Sequence, residues 1–321
     1  MDRGAFELWL DQHNHKMELM RTLTSLMAAI SYICSLYDMV MNMKIKNALG
    51  LFDGMSCGQI ALERAGIEYE NYYASEIDKW AIEITQKNYP DTIQVGDITK
   101  LTSKDLPTIE LLMGGSPCQG FSLAGKQLNF DDERSKLFFE FIRLRDELKP
   151  KYWLLENVKM KKEIQDEISK LVGVEPIEIN SALVSGQNRR RLYWTNIPDV
   201  KQPDDLKISA HSLLEDKSYQ VATTRKSKDG NPRQIVRTKN DKFGCITASY
   251  VSGPLGDGRP AKTKFFGDYA PGRVQKLSPI EAERLQTLPE DYTAGVSNTQ
   301  RYKMIGNGWT VDVIAHIFRN I

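Results

Sequence analysis

Residues 45–65, with the sequence IKNALGLFDGMSCGQIALERA, decide the fold. Their apolar start, Ile45–Leu51, predicts a buried strand, the glycine-containing segment 52–58 predicts a tight turn, and residues 59–65 predict a helix. Doubly wound α/β folds use this order of strand, turn and helix to expose backbone N–H groups to a polar or anionic ligand. The stretch therefore predicts the first unit of such a fold.

Acidic residues follow each of the next two predicted strands. Glu76 comes directly after the strand at residues 71–75, about 20 residues beyond the turn, where an acidic side chain binds ribose hydroxyls in nucleotide-binding folds. Asp97 follows a third strand near Val95. Either acid alone is also typical of a helix cap. Three successive strand ends that carry glycine, glutamate and aspartate together predict an adenosine pocket.

A cysteine follows another buried strand. The apolar run at residues 109–113 leads into the segment GGSPCQGFS at residues 114–122, which contains Cys118. Because α/β folds collect their chemistry at the carboxyl ends of strands, this thiol has the position of a nucleophile. Pro117 fixes the backbone before it and stiffens the turn. A helix is predicted next, with one apolar face formed by Leu137, Phe138, Phe141 and Leu144.

Two further polar motifs adjoin predicted strands. Glu156-Asn157-Val158 follows the strand at residues 152–155, and Gln187-Asn188-Arg189-Arg190-Arg191 precedes the strand at residues 192–194. Strands and helices alternate through residue 195. This alternation predicts a mainly parallel sheet covered by helices.

Residues 196–277 differ from this pattern and show no helical periodicity. They predict a small, irregular, β-rich module with a basic face that contacts phosphate. Ser278 and Pro279 then predict the N-cap and first residue of a helix. The predicted organisation is a catalytic domain of residues 44–195 and 278–321, interrupted by the module. Between residues 217 and 242 two acidic residues stand against eight basic ones: Lys217, Arg225, Lys226, Lys228, Arg233, Arg237, Lys239 and Lys242.

The composition of the 321 residues is that of an ordinary globular protein, with 41% hydrophobic and 26% charged residues. The formal net charge is +1, so a nucleic-acid site has to be a local patch. The cysteines are widely spaced and form no CxxC pair, which argues against zinc and disulfides and for a reducing compartment. The four are Cys34, Cys57, Cys118 and Cys245.

Residues 1–43 precede this domain, and apolar residues recur at helical spacing from Leu19 to Tyr37. Arg21 and Asp38 argue against a membrane span. Acidic residues before the apolar part argue against a signal peptide. Three interpretations stay open: a helix that packs on the following domain, an oligomerisation helix, or upstream sequence translated from an early start codon.

From residue 45 to the last residue, the ordered motifs resemble the DNA (cytosine-5) methyltransferases. One motif departs from the family pattern, because Ser56 replaces the second glycine of the FxGxG turn and Gly58 follows two residues later. This form, together with residues 134–140, resembles the eukaryotic de novo branch and its phage and bacterial relatives. The motifs are Phe52-Asp53-Gly54, Glu76, Asp97, Pro117-Cys118-Gln119, Glu156-Asn157-Val158, Gln187-Asn188-Arg189-Arg190-Arg191, Arg284-Leu285 and Gly306-Asn307.

The resemblance implies an α/β fold: a Rossmann-like, S-adenosylmethionine-dependent methyltransferase sheet with a small irregular β-rich target-recognition domain. Cytosine C5 is a poor nucleophile until a thiolate adds at C6, and Cys118 is the expected nucleophile. Glu156, partly protonated in a dry pocket, is expected to donate to N3. Arg191, with Arg189 near it, is expected to donate to O2 and to a neighbouring phosphate.

The implied cofactor is S-adenosyl-L-methionine. By resemblance, Glu76 binds its ribose, Asp97 its adenine amino group, and Asn307 lies near its amino-acid end. The remaining expected cofactor contacts are Phe52, Asp53, Gly54, Ile77, Ile98 and Pro117.

The implied substrate is double-stranded DNA, from which the target cytosine is flipped into the pocket. The loop at residues 119–134 is expected to close over it, and the module at residues 196–277 to bind the major groove. No metal ion and no membrane are expected, and the expected location is the cytoplasm of a bacterial or phage-infected cell. The expected DNA contacts are Gln119, Ser122, Arg134, Arg233, Arg237 and Thr247.

Two other functions stay open. One subgroup of this family methylates transfer RNA with the same fold, and the motifs fit that substrate too. The basic, loop-rich insert and the closer similarity to the DNA branch favour DNA. The family also includes catalytically inactive DNA-binding subunits, against which the presence of Cys118, Glu156 and Arg191 argues.

Overall fold

The computed structural model describes nine stretches of the chain: residues 16–18, 20–33, 44–116, 133–216, 219–226, 232–236, 242–248, 262–266 and 274–321. It divides the chain into two compact units, Met1–Lys44 and Ile45–Ile321. Each unit is described by itself.

In the described residues of the N-terminal unit, 16–18 and 20–33 are helical, and we call this helix α1. The predicted helix is confirmed over these residues, whereas Cys34 and Tyr37 lie outside the described range. No helix in the described part of the chain is long and apolar enough to cross a membrane. The large apolar side chains of α1 are each more than half exposed: Met17, Met20, Leu23, Leu26, Met27, Ile30, Tyr32 and Ile33.

The second unit is built on a seven-stranded sheet with the strand order β3-β2-β1-β4-β5-β8-β6. All pairs are parallel except those that β8 makes with β5 and β6. The predicted mainly parallel sheet is confirmed. The first eight strands are β1 (Ile45–Leu51), β2 (Tyr69–Ser75), β3 (Ile93–Gln94), β4 (Leu111–Gly115), β5 (Tyr152–Val158), β6 (Ile177–Asn180), β7 (Gln187–Asn188) and β8 (Arg190–Thr195).

Helices cover both faces of this sheet. Successive residues of a strand point to opposite faces, so one strand can contribute apolar side chains to clusters on both faces. In β1, Ala48 belongs to one apolar cluster and Leu49 to the other. The first cluster includes Ile314, and the second includes Phe138 and Phe141, two residues of the predicted apolar helix face. The helices are α2 (Cys57–Ala65), α3 (Lys79–Asn88), α4 (Glu133–Leu148), α5 (Lys162–Val172), α6 (Pro279–Leu285), α7 (Asn298–Asn307) and α8 (Val311–Phe318).

A second sheet lies in the predicted recognition module and has the strand order β10-β9-β12-β13, with antiparallel pairs. The predicted boundaries of the module, residues 196 and 277, stay a prediction. Within them, Ile197, Leu214 and Ile246 belong to the core cluster on one face of the large sheet. The remaining strands are β9 (Tyr219–Lys226), β10 (Pro232–Val236), β11 (Phe243–Gly244), β12 (Lys262–Phe266) and β13 (Val274–Gln275). Strand β11 pairs with β7 in parallel.

The chain returns from the module through a capped helix. Ser278 Oγ accepts the Glu281 N–H at 3.1 Å, and Glu281 Oε2 accepts the Ser278 N–H at 2.8 Å. Pro279 occupies the first turn, where a missing N–H costs nothing. These bonds form a capping box and confirm the predicted start of α6.

Replacing Ser278 with alanine should lower the free energy of unfolding by about 1 kcal/mol, because it removes the oxygen that caps α6. Urea unfolding measures this change. Ser297→Ala is the matched control, since Ser297 is the N-cap of α7 but its side chain makes no capping bond. Equal losses in the two variants would contradict the capping role.

Candidate active site

The turn after β1 is formed by three residues with left-handed backbone conformation. Phe52, Gly54 and Ser56 have φ angles of 54°, 62° and 58°. This conformation costs a non-glycine residue about 1–2 kcal/mol, so contacts elsewhere must hold it. The Asp53 N–H donates to Ser75 O at 3.2 Å, which ties the turn to the end of β2. The predicted tight turn is thereby confirmed.

Glu76 is fixed at the end of β2 by three backbone donors. Its Oε2 accepts the Gly54 N–H at 2.8 Å, and its Oε1 accepts the N–H groups of Ile77 and Asp78, both at 2.8 Å. A carboxylate has about four acceptor positions, so Oε2 retains one. The structure therefore has a rigid acceptor beside the turn. This acceptor, Glu76, is the residue that the sequence predicted to bind the ribose.

Asp97 follows β3 and accepts hydrogen bonds from the N–H of Thr99 at 3.0 Å and its hydroxyl at 2.9 Å. These two donors lower the pKa of Asp97. The carboxylate is therefore ionised at neutral pH and can accept further hydrogen bonds, as binding of an adenine amino group requires.

The apolar residues predicted at the cofactor differ in exposure. Ile77 is 74% exposed and offers apolar surface beside Glu76. Ile98 is only 4% exposed and belongs to the core, so its side chain does not form an open pocket wall. Asn307, the last residue of α7, is exposed.

The Asp53 carboxyl group faces the protein interior. Its Oδ1 accepts the Tyr72 hydroxyl at 2.6 Å, and its Oδ2 accepts the Ser56 hydroxyl. Tyr72 and Ser56 are both buried. Burial raises the pKa of Asp53 to about 7. The predicted contact of Asp53 with the cofactor stays a prediction, and because its carboxyl group is bonded to Tyr72 and Ser56, the backbone of Asp53 is the part left for that contact.

Glu156 lies near the end of β5, directly beside Gly115 of β4. Its residue is 8% exposed, and both carboxylate oxygens are paired. Oε1 is 3.0 Å from Arg191 Nε, and Oε2 accepts the Trp309 indole N–H at 3.2 Å. A Cβ on Gly115 would lie 2.8 Å from Glu156 Oε2, so glycine there makes room for the carboxylate.

Arg191 approaches Glu156 from the antiparallel strand β8. Burial acts to lower the pKa of its guanidinium, the Glu156 carboxylate acts to raise it, and the net shift is upward. Nη1 donates to Arg190 O at 2.9 Å, and Nη2 lies 3.9 Å from Cys245 Sγ. The structure brings together Glu156 and Arg191, two of the predicted catalytic residues.

Arg189 takes a different position from the predicted one. It is 3% exposed, and its Nη1 donates to Ile246 O at 3.0 Å while Nη2 donates to Gly308 O at 2.8 Å. Both nitrogens also lie 3.3 Å from Gly306 O. Because its terminal nitrogens are directed at backbone carbonyls, we assign Arg189 to holding these segments together, as a correction of its predicted contact with base or phosphate.

The expected nucleophile Cys118 lies outside the described residues, as do Pro117, Gln119, Ser122 and Arg237. Ser116, the last described residue before Pro117, is held next to the strand that carries Glu156. Its Oγ accepts a hydrogen bond from Nδ2 of Asn157, the neighbour of Glu156, at 3.1 Å.

Of the other predicted DNA contacts, two lie on helices or strands and one lies outside them. Arg134 is in the first turn of α4, which starts at Glu133, so the predicted loop is two residues shorter at that end. Arg233 is in β10, and for both arginines the structure describes the backbone only. Thr247 is exposed.

Trp309 was not predicted as a site residue. The available signal was its indole N–H, directly after the Gly306-Asn307-Gly308 motif. Asn157 and Ser116, which join the ends of β5 and β4, were also missed as a pair. Within the stretches that the structure describes, no three His, Cys, Asp or Glu side chains are grouped as metal ligands.

The fold and site define an α/β domain whose mainly parallel sheet carries acidic side chains after β2 and β3 and a buried glutamate–arginine pair on β5 and β8. A family model described as C-5 cytosine-specific DNA methylase matches residues 47–167 and 175–321. The chain belongs to this family.

Curated relatives and solved structures agree with this assignment. The type II methyltransferase M1.ScrFI of Lactococcus lactis subsp. cremoris is 33% identical over 300 residues, which cover 83% of this chain and 75% of the relative. The type II methyltransferase M.HhaI of Haemophilus parahaemolyticus is 29% identical over 309 residues, covering 85% and 93%. The crystal structure of S. pombe Dnmt2 methyltransferase shares the fold, with a TM-score of 0.66, 21% identity and coverage of 85% and 97%.

Replacing Trp309 with phenylalanine should slow methyl transfer about ten- to hundredfold, because one Glu156 oxygen loses a hydrogen-bond donor worth about 1.5–3 kcal/mol. Single-turnover methyl transfer to duplex DNA measures the rate. Trp80→Phe, on helix α3, is the matched control and should keep the wild-type rate. An unchanged rate in the Trp309 variant would show that its bond to Glu156 has no part in the reaction.

Proposed function

We propose that the protein is an S-adenosylmethionine-dependent DNA (cytosine-5) methyltransferase. The observation that supports this most directly is the Glu156 carboxylate, paired with Arg191 and Trp309 beside the strand that leads into Pro117-Cys118-Gln119. A buried acid at a strand end can exchange a proton with a bound base, and the guanidinium beside it can stabilise charge that develops on the ring. Membership of the C-5 cytosine-specific DNA methylase family supports cytosine in DNA as the substrate.

The residues around the β1 turn fit S-adenosylmethionine. Glu76 Oε2 has a free acceptor position for a ribose hydroxyl, and ionised Asp97 can accept from the adenine amino group. The exposed Ile77 side chain can cover one face of the adenine. When bound, the cofactor supplies an electrophilic methyl group on its sulfonium.

On the cytosine, the Cys118 thiolate adds to C6 and the C5–C6 π electrons move into the ring. Glu156 donates a proton to N3, and the Arg191 guanidinium stabilises the charge that develops at O2. C5 thereby becomes nucleophilic and takes the methyl group. A base then removes the C5 proton, the C6–S bond breaks to restore the Cys118 thiolate, and N3 returns its proton to Glu156.

The target cytosine reaches this pocket by flipping out of the duplex, since a stacked base exposes neither C6 nor its faces. We assign Gln119, Ser122 and Arg134 to the backbone around the flipped base, and Arg233, Arg237 and Thr247 to the DNA surface facing the second sheet. We place the protein in the cytoplasm of a bacterial or phage-infected cell, where it meets duplex DNA, and the relatives named above come from bacteria.

Transfer RNA is the alternative substrate, and tritiated methyl transfer to duplex DNA and to transfer RNA compares the two. We expect strong labelling of DNA. Labelling of transfer RNA alone would overturn the DNA assignment. Wild-type protein that forms no covalent adduct with DNA containing 5-fluorocytosine would instead indicate an inactive DNA-binding subunit.

Replacing Cys118 with serine should abolish turnover while DNA and S-adenosylhomocysteine still bind, because the hydroxyl matches the thiol in size but not in acidity. The covalent adduct with 5-fluorocytosine DNA should also disappear on denaturing gels. Cys34→Ser, in the N-terminal extension, is the matched control and should retain both. Methyl transfer by the Cys118 variant at the wild-type rate would exclude Cys118 as the nucleophile.

A further inference from the structure

A small polar pocket lies beneath the β1 turn because two glycines leave room for it. A Cβ on Gly50 would lie 2.2 Å from Asp53 Oδ1 and 2.6 Å from Tyr72 Oη. A Cβ on Gly58 would lie 2.5 Å from both Tyr72 Oη and Met113 Sδ. Strand β1 and helix α2 therefore both lack a side chain at the point where the Asp53 carboxyl group meets the Tyr72 hydroxyl.

Hydrogen bonds extend from this pocket into the turn. Tyr72 donates to Asp53 Oδ1 at 2.6 Å, and the Ser56 hydroxyl donates to Asp53 Oδ2. Thr85 of α3, itself fully buried, has its Oγ1 3.3 Å from Ser56 Oγ and 3.4 Å from Gly54 O. These contacts link β2 to α3 through Asp53 and Ser56. Gly54 lies between these two residues in the sequence, and its N–H donates to Glu76.

Ser56 needs such support, because it has a left-handed backbone and a side chain. We propose that Asp53 and Tyr72 are positioning residues for cofactor binding: together they hold Ser56 in its left-handed conformation and so direct the Gly54 N–H at Glu76. This inference rests on the proposed function, since it assumes that the turn binds the adenosyl cofactor.

The charges around the pocket make this support dependent on pH. Burial raises the pKa of Asp53 to about 7, opposed by the hydrogen bonds from Ser56 and Tyr72 and increased by the Glu76 carboxylate. Burial also raises the pKa of Cys57 to about 12 and that of Tyr72 well above its usual value, so both stay neutral. Tyr69 likewise has its pKa raised to about 12. Asp53 is thus the group here that titrates near neutrality.

The direction of the effect follows from the hydrogen bonds. Ionised Asp53, above pH 7, accepts from Ser56 and Tyr72 at once. Protonated Asp53, below pH 7, is a neutral and therefore weaker acceptor, and its new O–H has to donate to one of the two hydroxyls, which must then direct its own proton elsewhere. Tyr72 has a second acceptor within reach, Met113 Sδ at 3.7 Å. Cofactor affinity should therefore fall as the pH drops through about 7.

Isothermal titration with S-adenosylhomocysteine tests the proposal at pH 6, 7 and 8. The wild type should bind several-fold more weakly at pH 6 than at pH 8. Tyr72→Phe should weaken binding about tenfold at pH 8, as expected for the loss of a hydrogen bond to a charged group. Asp53→Asn should bind with an affinity that does not change over this range, because it has no group that titrates there.

Tyr73→Phe is the matched control, since Tyr73 is the next residue of β2 and packs in the opposite apolar cluster. It should bind like the wild type, and circular dichroism should show that all variants are folded. If the wild type binds but both pocket variants match it at every pH, the positioning role is overturned and the proposed function stands. If the wild type does not bind at all, the proposed cofactor is overturned as well.

Discussion

The site depends on one requirement, which is that a buried carboxylate must be paired. Glu156 meets it with two donors from distant parts of the chain, Arg191 on β8 and Trp309 after α7. Gly115 meets it by having no side chain where the carboxylate lies. The antiparallel direction of β8 makes this pairing geometrically possible, because it puts Arg191, near the start of β8, opposite the carboxyl end of β5.

A second set of buried polar groups holds the elements around this pair. Gln187 Nε2 donates to Leu285 O at 2.6 Å, and its Oε1 accepts the Ile246 N–H at 3.2 Å. Gln286 Nε2 donates to Ile305 O at 2.7 Å. With Arg189, these side chains satisfy carbonyls that would otherwise be buried without partners. The Glu156–Arg191 pair is therefore surrounded by a polar network as well as by apolar packing.

The structural features that could be predicted from the sequence are those that short-range patterns determine. The bounds of β1, the apolar face of α4 and the Ser278 cap follow from periodicity and local hydrogen bonding, and all three are confirmed. The roles of Arg189 and Asp53 could not be predicted. Arg189 binds carbonyls more than 50 residues away, and the direction of the Asp53 side chain depends on the absence of a side chain at Gly50. The positions of these two side chains are set by tertiary contacts.

The packing at Gly306 bears on how recognition modules can be exchanged between relatives. A Cβ there would lie 2.2 Å from Thr247 C and 2.3 Å from Ala248 N, so the two backbones touch directly. Arg189 joins the same two segments through Ile246 and Gly306. Residues 246–248 thus pack against α7, although by sequence they lie within the predicted module. An exchange of the predicted module therefore has to keep residues 246–248, while the strands of the second sheet, which lie on both sides of them in the sequence, can be replaced.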